Sequence, residues 1–149
     1  MIALAVLAGL LSALVQGGPL ASLGDAGAAF AVPGALAAGW AAVRGPREAI
    51  ALAFSAAVVL GVLSEARVGL FALALLPAVA AGTLAMAERP GRRIRSIRAS
   101  LAGWLGAVAY VVLLVVTAGV SPSGPSIAWG LLASGVVAGF TCLLIFPLR

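Results

Sequence analysis

The chain has 149 residues, of which 64% are hydrophobic and 9% charged, with a mean hydropathy of +1.24 and a formal net charge of +5. Those values lie far from soluble globular usage and predict an all-α integral membrane protein of one domain, since no polar stretch is long enough to build a separate soluble core. Lysine, histidine and asparagine are absent, so a hydroxyl nucleophile lacks its usual bases, and a lone cysteine, Cys142, leaves no intrachain disulfide and no cysteine metal pair.

Proline, glycine and charge divide the chain into six apolar segments, each near the ~20 residues that a helix needs to cross ~30 Å of hydrocarbon. Helices are the expected element because a single chain of this pattern cannot close a barrel. The first segment covers 1–23, and its start, MIALAVLAGLL, has no basic residue ahead of the apolar run, which favours a retained helix over a cleaved signal peptide. The second covers 26–43 with Pro33 inside it. The third, 49–63, follows the stretch RGPRE, whose Pro46 and Glu48 suit a first helical turn by geometry and charge. The fourth covers 68–86, the fifth 101–120, and the sixth 127–146 after the turn-rich SPSGPS.

Orientation follows from the arginines, because basic residues of short loops stay on the cytoplasmic side. Six spans with both ends inside place Arg44, Arg47, Arg89, Arg92, Arg93, Arg95, Arg98 and Arg149 on the cytoplasmic face, eight of the nine, and leave Arg67 outside. The expected location is a bacterial cytoplasmic membrane, crossed several times.

Chemistry is sparse. The acids Asp25, Glu48, Glu65 and Glu88 all fall at helix ends or loops, so no span offers a catalytic or ion-relay group, and no enzyme, cofactor or metal is expected. Ser12, Ser55, Thr83, Thr117, Ser134 and Thr141 lie at depth, where each is expected to bond back to its own helix. Trp40, Trp104, Trp129 and Tyr110 read as interfacial anchors. Surfaces remain as sites. Glu65, Arg67 and Gly69, in the outer turn LSEARVGL, and Gly135 and Gly139, in the close-packing pattern GVVAG, are candidate partner contacts; the glycines serve equally as a seam inside the bundle. Arg44 and Arg47, with Arg89, Arg92, Arg93, Arg95 and Arg98 of the loop AERPGRRIRSIRAS, are candidates for anionic lipid or a cytoplasmic partner. Nucleic acid is not expected, because no aromatic platform accompanies these arginines.

The stretch from Val32 to Met86 resembles the central portion of the rod shape-determining protein MreD family. The residues that carry the resemblance are Pro33, then the basic turn Arg44, Gly45, Pro46, Arg47 and Glu48, then Val68, Gly69, Leu70, Ala72 and Leu73, followed by an arginine-rich loop and two final helices. Two positions depart from the pattern: Gly61 stands where many members carry Asp, and Arg67 where a Pro is usual. The resemblance implies a non-catalytic membrane subunit of the cell-elongation machinery that binds MreC and helps link MreB filaments to RodA and penicillin-binding protein 2. It also implies six helices arranged like the substrate-binding subunits of energy-coupling-factor transporters. That likeness supplies the alternative, a small-molecule-binding subunit of a transporter.

Overall fold

The structure, a computed structural model, describes residues 1–24, 27, 29–64, 68–86, 92–118 and 124–148. Six helices account for nearly all of them: α1 (Ile2–Gly17), α2 (Val32–Arg44), α3 (Pro46–Leu63), α4 (Val68–Met86), α5 (Arg92–Ala118) and α6 (Gly124–Ile145). Short 3₁₀ turns follow α1 at Ala21–Leu23 and α6 at Phe146–Leu148. Five stretches are long and apolar enough to cross a membrane: Ile2–Leu23, Pro46–Leu63, Val68–Met86, Arg93–Thr117 and Gly124–Ile145.

The second segment departs from its expected form as an 18-residue span over 26–43. Its helix α2 has 13 residues, about 20 Å, because the chain leaves helical geometry at Phe30 and Ala31 and restarts with Pro33 in the first turn. A proline inside a helix removes an amide donor and clashes with the preceding turn, whereas in a first turn its missing N–H has no helical partner to lose. The fifth segment departs in the other direction. Instead of starting at 101 after a loop, α5 starts at Arg92, so the arginines Arg92, Arg93, Arg95 and Arg98 occupy its first two turns. Nothing between Arg92 and Leu101 breaks a helix, and arginine is a good helix former.

The glycine contacts establish the direction of each helix. Gly9 faces Leu52 and Ser55 while Gly17 faces Leu63, so α1 and α3 run in parallel. Gly34 faces Leu75 and Ala78 while Gly82 faces Ala38 and Ala41, so α2 and α4 are parallel too. Gly39 lies against Ala138 and Thr141, and Gly130 against Ala29, which adds α6 to that set; Gly103 and Gly139 show α5 antiparallel to α6. The bundle therefore alternates up and down. The first turn of α1, the α2–α3 turn, the end of α4, the start of α5 and the end of α6 share one face.

Helix α2 is the centre, packed against all five others. Ten of its 13 residues are buried, and most are Ala or Gly, so neighbouring backbones approach closely all round it. The same division by size holds across the protein: the buried apolar set is mostly alanine, whereas Leu4, Leu7, Leu11, Phe54, Leu84, Val116 and Phe140 point outward. A membrane protein has no need to hide large apolar side chains from its solvent. Close contact between small residues does the packing instead.

Candidate functional site

Every arginine among the described residues lies at the shared face, and they are held in different ways. At the α2–α3 turn, Gly45 adopts φ +91°, a left-handed conformation open to glycine, and Pro46 starts the next helix at once. The reversal brings Arg44, last in α2, against Glu48 in the first turn of α3. Arg44 Nε donates to Glu48 Oε2 at 3.2 Å, its Nη2 donates to Oε1 at 3.0 Å, and the Trp40 indole Nε1 donates to Oε2 at 3.0 Å. Each charge also sits at the helix end whose dipole favours it, the acid at an N-terminus and the arginine at a C-terminus. Arg44 is thus committed inside the fold, while Arg47 beside it is exposed. The end of Met86 lies near Gly45, which brings α4 to the same corner.

On α5, Arg93 is exposed, but Arg95 is turned inward at 1% exposure, among the largest fully buried side chains. Its guanidinium carbon lies 5.4 Å from the centre of the Phe146 ring, just past the last turn of α6. A cation there meets both an aromatic face and the negative end of a helix dipole. One residue on, Ser96 Oγ donates to the carbonyl of Gly139 at 3.0 Å. Arg95 is therefore a bundle residue, whereas a solvated loop was expected. Arg98 is half-buried and lines a groove between α4 and α5.

The expected partner glycines divide. Gly135 and Gly139 are buried against Ser100, Trp104 and Ser96 of α5, so GVVAG is a seam within the bundle. Gly69 is exposed, with open space where a side chain would stand. Glu65, Arg67 and Arg89 lie outside the described residues. Gly61 is packed against the start of α4: a Cβ there would stand 2.6 Å from Val68 Cγ2 and 3.0 Å from its Cα.

All six hydroxyls at depth bond back to their own helices, from Ser12 to Gly9, Ser55 to Leu52, Thr83 to Ala80, Thr117 to Leu113, Ser134 to Gly130 and Thr141 to Val137. Among the described residues no group of three or more His, Cys, Asp or Glu gathers where a metal could sit, and Cys142 is buried.

Sequence reasoning passed over Gln16. From the last turn of α1, its buried amide accepts from the Val32 N–H at 3.1 Å and donates to the Gly27 carbonyl at 3.0 Å. Helix α2 has no side-chain cap of its own at Ala31, and the amide from α1 shares its first donor, the Val32 N–H, with the Phe30 carbonyl at 2.9 Å. The available signal was its identity: the chain's one glutamine stands at the end of an apolar run. No family model, no curated protein and no solved structure significantly matches this chain.

Proposed function

We propose that this protein is a non-catalytic scaffold subunit of the bacterial cell-elongation complex. It binds an MreC-like membrane protein and helps couple MreB filaments to the peptidoglycan synthases RodA and penicillin-binding protein 2. It lies in the cytoplasmic membrane with both bundle-end helices starting or finishing inside, and its arginine face meets anionic headgroups. The resemblance from Pro33 to Leu73 supplies the particular complex. The observation that carries the scaffold role is the central place of α2, whose Ala and Gly side chains fill the middle of the bundle, so that recognition falls to its outer surfaces. Gly61 is packed against Val68 where many members of the MreD family carry Asp, so no role that depends on an acid there is part of this reading.

The test is co-purification. The tagged protein, extracted in mild detergent from cells that also express the MreC-like protein, is expected to bring that protein down in a stable ratio. Absence of the partner, together with a small molecule retained through purification, overturns the scaffold in favour of a transporter subunit of the energy-coupling-factor type, which requires convergent polar groups around its ligand.

A further inference from the structure

We propose that the groove between α4 and α5 is a binding site for an anionic glycerophospholipid, with the phosphate at Arg98 and one acyl chain lying along the helices. The groove has a volume of about 300 Å³. Its floor is made of small residues, Ala81 and Ala85 from α4 and Ala102 from α5, because alanines facing each other across two helices leave space that longer side chains would fill. Its rims are the exposed leucines Leu84, Leu101 and Leu105.

Arg98, Leu101, Ala102 and Leu105 follow the i, i+3, i+4, i+7 spacing of one helix face, so the charge stands at one end of an apolar track about 10 Å long. That end is the arginine face of the bundle, and Arg98 lies within the first two turns of the span Arg93–Thr117. A long arginine stem there rests on apolar surface while its head reaches headgroup level. A guanidinium presents five donors in a planar fork, which allows phosphate binding alongside another contact. Charge distinguishes this groove from two others on the described residues: those beside Trp104 (about 430 Å³) and Trp129 (about 230 Å³) have no charged residue in their linings. An acidic lipid matches both parts, the cation at the mouth and the hydrocarbon below.

The inference rests on the membrane orientation proposed above and not on the elongation partner, so its failure leaves the co-purification result standing, and the reverse also holds. The unaltered protein, reconstituted in nanodiscs, is exposed to phosphatidylglycerol carrying a photoreactive group in one acyl chain, and to phosphatidylcholine with the same chain. Labelling by the anionic probe is expected to concentrate in the peptides containing Ala81–Ala85 and Leu101–Leu105 and to exceed that by the zwitterionic probe about fivefold, the factor expected for one basic residue near the surface. Arg98→Gln is expected to remove the preference, Ala81→Phe to reduce labelling by both probes at these peptides, and Arg93→Gln, which takes away one exposed charge of the same face outside the groove, to lower the preference by much less than Arg98→Gln. Equal labelling by the two probes in the unaltered protein, or a loss with Arg93→Gln as large as with Arg98→Gln, overturns the site in favour of diffuse surface attraction. Competition by glycerol phosphate as effective as that by intact lipid would assign the site to a free phosphate compound and also overturn it.

Discussion

The two ends of α2 are finished by opposite chemistry. Its C-terminus is closed by neighbours in the chain: Arg44 and Trp40 converge on Glu48 across a single glycine turn. Its N-terminus is closed by Gln16, 16 residues away, with neutral hydrogen bonds in an apolar surrounding. The charged end opens partly to solvent, at 21% and 16% side-chain exposure for Arg44 and Glu48, and water competes there for every contact. At the neutral end the Val32 N–H has a second acceptor in the Phe30 carbonyl at 2.9 Å, but the Gly27 carbonyl and the Gln16 amide are buried where water competes little. The more ordinary interaction is therefore the more consequential, because a buried group left without its partner bears the full desolvation cost.

The sharpest way to break this comparison is to ask whether the two ends lie on opposite sides of a membrane. With Cys142 buried, a cysteine at Ser22 is expected to react with an impermeant thiol reagent in intact cells, and one at Arg47 only after the cells are opened. The opposite pattern inverts the orientation; equal reaction at both denies a spanning bundle. Next in size is Gln16→Leu, which strands the Gly27 carbonyl and leaves the Val32 N–H only its 2.9 Å bond to the Phe30 carbonyl, and should cost about 1–3 kcal/mol, seen as a lowered thermal midpoint in detergent. Glu48→Gln should lower that midpoint by less and flatten its dependence on salt, since the ion pair it removes is screened by added electrolyte. Trp40→Phe keeps an aromatic ring, though a smaller one, in that buried place and removes one donor, the bond itself being worth about 1 kcal/mol. Arg47→Gln, at an exposed position beside the pair, should leave the midpoint unchanged. A larger loss from Glu48→Gln than from Gln16→Leu would reverse the ranking of the two ends.

Much of the arginine face was legible before the structure. Pro46 and Glu48 stand in the first turn of α3 as their chemistry predicted, whereas the pairing of Arg44 with Glu48 went unread, Arg44 being expected as a contact for lipid or a partner. What was not legible is which arginine turns inward. Arg93, Arg95 and Arg98 share one short stretch, yet one is exposed, one buried on Phe146 and one set in a groove. Helical rotation assigns them to different faces, but only the position of α6 decides which face is interior.

The sequence by itself determined a helical chain with segments long and apolar enough to cross a membrane, and the end of the bundle at which the described arginines gather. These depend on local composition and on the fixed rise of a helix, which need no knowledge of neighbours. Tertiary structure alone decided that the shortest helix is the central one, that Gln16 reaches its first turn from afar, and that Gly135 and Gly139 pack against α5. The physical reason lies in the solvent. In water, polarity marks the outer face of a helix, so a sequence reveals which side is buried. Here both sides are apolar, and the interior is distinguished by side-chain size, a signal that becomes a contact only when another backbone comes close enough to use it.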